Sequence, residues 1–81
     1  MDTEIKLKIS KELSSREQRQ IIKLKGSLIA AGYTEIIHIL DYDQQCHLNT
    51  FETQAAKSSE AKEFIKAFME QQSLGAVIEM F

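Results

Sequence analysis

The hydrophobic period changes between two and about 3.6 along the 81 residues, and this order limits the folds open to the chain. In residues 4–10, Ile5, Leu7 and Ile9 alternate with polar residues, which predicts a strand buried on one face. Residues 15–31 repeat apolar side chains every three or four positions and predict an amphipathic helix. A strand followed directly by such a helix is typical of a sheet covered by helices on one side.

The first predicted helix carries signals at both ends. Ser14 and Glu17 have the spacing of a capping box, in which each side chain bonds a backbone N–H at the helix start. Gly32 follows the helix, where a left-handed residue commonly ends it. The apolar arc is wider than one side of a sheet requires, and Gln18 and Lys25 fall within it. We expect the arc to divide, with one part facing the sheet and the other a second helix or a partner.

The middle of the chain predicts a β-hairpin. Residues 34–41 are rich in β-branched side chains and predict a second strand, and a polar turn leads to a return strand at 46–53. Leu48 and Phe51 have opposite parity in this return strand, so they point to opposite faces. The alternative is a three-stranded sheet in which residues 42–57 form a loop.

A second amphipathic helix is predicted over residues 59–72, capped by Ser58 or Ser59, and residues 76–81 predict a short last strand. The order βαββαβ indicates an α+β, ferredoxin-like sandwich: a four-stranded antiparallel sheet with both helices on one face. We expect residues 1–81 to form a single domain.

Charge is distributed unevenly, although the whole chain carries a net charge of only −2. Residues 1–25 hold seven of the ten basic residues against four acids, and residues 26–56 hold four acids and no lysine or arginine. Such polarity suits docking to a complementary surface. The net charge of −2 argues against a uniformly basic nucleic-acid coat.

Catalytic and metal chemistry have weak support. Cys46 and His47 are neighbours on a predicted strand, so their side chains point to opposite faces and are poorly placed for a thiolate–imidazolium couple. His38, Asp41 and Asp43 add metal-ligand types near them, without the spacing of a zinc site. Phosphate-binding glycine motifs are absent from the sequence. We expect no enzyme activity, no metal and no cofactor.

Localisation follows from similar arguments. The sequence has no apolar run near the roughly 20 residues of a membrane span. The start of the chain, Met1 to Glu4, does not have the form of a secretory leader. A single cysteine excludes an internal disulfide. We expect a cytoplasmic protein that does not bind membranes.

The function expected from these observations is that of a small interaction or regulatory protein, such as an accessory subunit or an inhibitor. It would bind a protein partner through its basic first helix and through the open face or an edge strand of the sheet. The candidate partner-binding residues are Lys6, Lys8, Arg16, Arg19, Lys23, Phe51 and Phe81.

Two alternatives stay open. An open sheet face can bind single-stranded RNA when aromatic side chains stack on bases, with Phe51 the candidate here and Lys6 and Lys8 on the neighbouring strand. The RNP1 pattern of such domains is absent. A homodimer formed through the open face is compatible with either function.

Overall fold

The computed structural model describes residues 3–81 and has an α+β architecture, with a four-stranded antiparallel sheet and two helices. Its elements are β1 (Glu4–Ser10), α1 (Ser15–Ala30), β2 (His38–Asp41), β3 (Cys46–Glu52), α2 (Ser58–Gln71) and β4 (Ile78–Met80). The strand order is β2-β3-β1-β4, and every neighbouring pair is antiparallel. Met1 and Asp2, on which the expectation about a leader partly rests, lie outside the described residues.

The core lies against the face of β1 that carries Ile5, Leu7 and Ile9, all buried as the alternation predicts. Residues directly opposite in an antiparallel pair share a face. Phe51 of β3 lies opposite Ile5 and therefore points into the core. Both helices contribute to the same hydrophobic cluster. Its other members are Ile21, Leu24, Leu28, Ala61, Ile65, Leu74 and Ile78.

Helix α1 begins and ends as its sequence predicts. The Ser14 Oγ accepts the Glu17 N–H at 3.1 Å, and the Glu17 carboxylate accepts the Ser14 N–H at 2.8 Å. At the other end Gly32 has a φ of 80°, and the Tyr33 N–H donates to the Leu28 carbonyl at 3.0 Å. This is the Schellman motif, in which a left-handed residue closes the helix.

The apolar arc of α1 divides. Ile21, Leu24 and Leu28 are buried in the core, whereas Ile22 and Ile29 on its flank are exposed. Ile22 and Ile29 are seven residues apart and so lie on one side of the helix.

Helix α2 begins differently from the prediction. Neither Ser58 nor Ser59 is its N-cap, because a 3₁₀ turn at Ala55–Lys57 runs directly into the helix and Lys57 takes that position without a side-chain hydrogen bond. Its C-terminus closes on Ser73, which has a φ of 56°. Serine therefore holds a left-handed position that usually favours glycine.

Strand β2 is shorter than predicted. It begins at His38 rather than residue 34, because residues 34–37 remain in the connection from α1, where the Thr34 hydroxyl donates to the Ile36 carbonyl at 3.1 Å. The hairpin is present, and β3 pairs with β2 on one side and β1 on the other. The alternative with a loop over residues 42–57 is therefore wrong.

Candidate partner-binding surfaces

The open face of the sheet carries the lysines expected there, and each has a carboxylate partner. Lys6 lies 3.5 Å from Glu4, and Lys8 lies 2.9 Å from Glu79 on β4. The hydrogen bond to Glu79, followed by the charge of the same carboxylate, raises the pKa of Lys8. These pairs reduce the positive potential that β1 offers to a phosphate backbone.

Two exposed aromatic residues lie over the same face. The rings of Tyr42 and Phe81 are 6.0 Å apart, and the Lys8 ammonium lies 5.5 Å from the Tyr42 ring centre. Phe81 thus occupies the open face as expected. Phe51 does not: only 1% of its surface is exposed, because its register opposite Ile5 turns it into the core. The expectation that Phe51 stacks with a base or a partner is wrong.

The basic face of α1 contains three of the candidate residues, and they differ in what they contact. The Arg16 guanidinium donates to the Gln72 carbonyl at the end of α2, with a distance of 2.8 Å between Nη2 and the oxygen. Arg19 and Lys23 are exposed and make no ion pair with any residue from 3 to 81. Arg16 therefore holds two helices together, whereas Arg19 and Lys23 are free to meet a partner.

The arc of α1 also contains Lys25, and its partial burial lowers the pKa of that ammonium. The sequence placed this lysine among apolar positions. Its half-buried location, between the core and the exposed side of α1, agrees with a divided arc.

The β2–β3 turn uses its polar residues for local structure. The Asp43 carboxylate accepts the N–H groups of Gln45 and Cys46 at 2.8 and 2.7 Å, as aspartates in turns commonly do. Cys46 faces the open side of the sheet and His47 the other, according to their register with Ser10 and Ile9. Within residues 3–81, His, Cys, Asp and Glu form no group of three or more that could hold a metal ion.

Asp41, the last residue of β2, forms an ion pair with the loop between β1 and α1. Its carboxylate lies 3.0 Å from the Lys11 ammonium and 3.7 Å from Nδ1 of His47. The hydrogen bond from Lys11, and then its charge, lower the pKa of Asp41.

Strand β2 is an edge of the sheet with apolar side chains in solvent. All four of its residues are exposed, including Ile39 at 57% and Leu40 at 52%. Ile36 and Tyr42, which flank the strand, are exposed as well. A flat edge with such side chains is a template for another strand.

The outer edge of β2 presents free backbone groups. The Tyr42 N–H donates to the Cys46 carbonyl of β3 at 3.1 Å. Backbone groups in an antiparallel pair face the partner strand at every second residue, so Leu40 also directs its N–H and C=O groups to β3. Ile39 and Asp41 therefore direct their N–H and C=O groups away from the sheet. Within the described chain, no strand pairs with this edge.

A groove of about 950 Å³ opens beside the start of β2. One wall is formed by the end of α1 and the connection that follows it, and the other by the end of β3. Glu4, Glu35 and Glu52 line it, and none of the lining residues is a lysine or an arginine. Tyr33 also lines the groove; burial, followed by the nearby Glu60 carboxylate, raises the pKa of its phenol. We refer to this feature as the acidic groove.

Thr53 lies in the wall of the acidic groove with 6% of its surface exposed. Its hydroxyl oxygen has no hydrogen-bond partner within the described part of the chain. Buried hydroxyls without partners are uncommon in folded proteins. The wall of the groove thus includes a buried hydroxyl that the described residues leave unpaired, as well as carboxylates.

The sequence predicts a binding edge on one of the outer strands without indicating which, and it does not predict the groove. The exposed Ile36, Ile39 and Leu40 were visible as β-branched or apolar residues, and the same pattern fits a buried strand. The excess of acids in residues 26–56 was the available signal for an acidic surface.

Comparison with protein-family models, with curated proteins and with solved structures found no match to this chain. No helix in residues 3–81 is both long and apolar enough to cross a membrane.

Proposed function

We propose that this chain is a small, non-catalytic interaction protein that binds a protein partner by adding a strand of that partner to the free edge of β2. The observation that carries the proposal is the exposed β2 edge, with apolar side chains on both faces and with backbone groups at Ile39 and Asp41 that no strand within residues 3–81 pairs with. Strand addition uses such backbone groups for affinity and the alternating side chains for specificity.

The proposed architecture is the ferredoxin-like sandwich, with short strands at both edges. The strand order β2-β3-β1-β4 and the antiparallel pairing support it, as does the shared core of both helices with one face of β1. Such a sandwich leaves one sheet face and two sheet edges for binding. The β4 edge spans three residues, against four in β2.

The flank of α1 extends the proposed surface. Ile22 and Ile29 are 70% and 46% exposed on one side of the helix, and Ile29 lines the acidic groove near the start of β2. Apolar residues grouped beside a free sheet edge are more suited to an interface than singly scattered ones. Arg19 and Lys23 offer peripheral charges that would raise the rate of association.

The test compares two substitutions at Ile39. Ile39→Pro removes the outward N–H without removing a hydrogen bond to β3, whereas Ile39→Ala shortens the side chain and keeps the N–H. We expect a partner captured from nuclease-treated lysate of the native cells to be retained by Ile39→Ala and lost with Ile39→Pro. Melting temperatures of both variants should confirm that they fold.

If Ile39→Pro still captures the same partner as the unmodified protein, strand addition at β2 is wrong. A partner lost equally from both variants would also contradict it, because the side chain and not the backbone would then carry the contact.

Single-stranded RNA binding is the second candidate, and the Tyr42–Phe81 pair beside Lys8 favours it. Such a pair could stack with bases, and each stack contributes about 1–3 kcal/mol. This function requires that binding falls steeply with salt and is lost in Tyr42→Ala with Phe81→Ala. The carboxylate partners of Lys6 and Lys8 make it the weaker candidate.

A homodimer is a third arrangement of the same surfaces. Light scattering at two concentrations tests it. Pairing two β2 edges would bring together Glu35 and Asp43 of both copies, with no lysine or arginine in residues 26–56 to offset them, while Asp41 is already paired with Lys11. We therefore expect the mass of a monomer at both concentrations.

A further inference from the structure

We infer that the partner strand is basic, with a lysine or arginine side chain seated in the acidic groove while its backbone pairs with β2. This inference rests on the proposed function, because the added strand brings that side chain to the groove. It specifies the partner's chemistry: an extended segment of alternating apolar and polar residues, with a cation near the end that lies beside His38.

Continuity between the edge and the groove is the first support. His38 is the first residue of β2 and also lines the acidic groove. A strand advances about 3.3 Å per residue, so a segment paired with Ile39 and Asp41 passes the groove within two or three further residues. Side chains alternate along it, so every second one can turn toward the same wall.

Charge complementarity selects the occupant. Glu35 belongs to the connection after α1 and Glu52 to β3, and both line the groove. Glu4 lines it as well, with the Lys6 ammonium 3.5 Å from its carboxylate. The lining contains no lysine or arginine, and the Lys57 Nζ lies beside it, 3.8 Å from where a Cβ on Gly32 would be. A cationic side chain gains attraction here, and an anionic one is repelled.

The hydroxyl of Thr53 is the second, independent observation. More than nine tenths of this residue is buried, its oxygen lacks a partner among the described residues, and it lies in the groove wall. A hydroxyl oxygen can accept a hydrogen bond from an ammonium or guanidinium group. Three buried threonines line the groove, and Thr34 among them already donates to the Ile36 carbonyl. Thr53 is the one whose hydroxyl oxygen is buried without a partner among the described residues.

The experiment uses two fluorescein-labelled peptides, acetylated and amidated, with the sequences TVKVTVKV and TVEVTVEV. Binding to the full chain is measured by fluorescence anisotropy at low salt. We expect the lysine peptide to bind roughly tenfold more tightly than the glutamate peptide. Glu35→Gln combined with Glu52→Gln should reduce this preference to about twofold or less.

A matched control makes the same change of net charge at a site away from the groove. Glu63→Gln combined with Glu70→Gln neutralises two exposed carboxylates of α2 and should leave the preference at its original value. Thr53→Val removes the free hydroxyl at nearly constant volume. It should weaken binding of the lysine peptide about threefold or more while the melting temperature is maintained.

The outcomes separate this inference from the proposed function. If Ile39→Pro abolishes binding of both peptides while the Glu35 and Glu52 substitutions leave the preference unchanged, strand addition stands and the basic partner is wrong. If the groove substitutions weaken binding and Ile39→Pro does not, the groove binds cations without strand addition. Equal binding of the two peptides, or no binding of either at about 1 mM, overturns the inference.

Discussion

At the scale of single residues, Ser73 is the clearest place where the backbone conformation and the residue type disagree. Its φ of 56° is left-handed, and it closes α2 with the Leu74 N–H donating to the Met69 carbonyl at 2.9 Å. A side chain in that conformation costs about 1–2 kcal/mol. Glycine removes this cost, but it gives the unfolded chain more conformational entropy, which lowers the free energy of unfolding by about 0.4–1 kcal/mol.

Ser73→Gly should therefore raise the free energy of unfolding by about 0.5–1 kcal/mol, as measured by urea denaturation. Ser73→Ala is the control, because it keeps the Cβ and should give no increase. An equal stability for the two variants would show that Ser73 carries no backbone strain.

At the scale of secondary-structure elements, Arg16 joins α1 to the end of α2. Its guanidinium bonds the carbonyl of Gln72, the C-cap residue of α2, where the helix leaves backbone acceptors unpaired and carries partial negative charge. Arg16 was expected to bind a partner. The hydrogen bond to Gln72 gives it a structural part as well, and the guanidinium remains at the surface.

Arg16→Gln should lower the free energy of unfolding by about 0.5–1.5 kcal/mol. Arg19→Gln, on the same face of α1 and without an ion pair in residues 3–81, should change it by less than about 0.5 kcal/mol. Chemical denaturation of both variants makes the comparison. If the two lose the same stability, the contact between Arg16 and Gln72 contributes nothing.

The sequence predicts those elements whose signals are local. The alternation in β1 and the capping box of Ser14 and Glu17 depend on residues within a few positions, and both were located correctly. The face of Phe51 was not, because its direction depends on the pairing of β3 with β1, some 46 residues away. Their odd and even positions show that Phe51 and Leu48 point to opposite faces of β3, but only the register of β3 with β1 decides which side chain enters the core.

The start of β2 shows a second limit of local signals. Residues 34–37 have the β-branched composition of a strand, yet the buried Thr34 and its bond to the Ile36 carbonyl hold them in the connection. Tertiary context overrides strand propensity in this segment. The acidic groove arises from the same departure, since it lies between this connection and the end of β3.

At the scale of the whole molecule, stability is distributed unevenly across the sheet. The hydrophobic cluster takes residues from β1, β3, β4 and both helices, and none of its buried members belongs to β2. An element with few buried contacts opens more readily than the core around it. The strand proposed to accept a partner is thus the one that the core holds least.

Hydrogen exchange should show this difference between strands. By the alternation of the ladders, the N–H groups of Leu40 and Leu7 both bond to β3, from its two sides. We expect the Leu40 amide to exchange at least about a hundredfold faster than the Leu7 amide, because β2 can separate without unfolding the core. Amide-resolved exchange followed by NMR measures both rates in one sample.

The same measurement bears on the proposed function. The N–H groups of Ile39 and Asp41 point away from the sheet, so they should exchange rapidly in the isolated protein and slow down when a partner strand bonds to them. The Leu40 amide should slow as well, since pairing on both sides stabilises β2. Equal protection of Leu40 and Leu7 in the isolated chain would show that β2 belongs to the cooperative core, and its edge would then be a rigid template rather than a loosely held one.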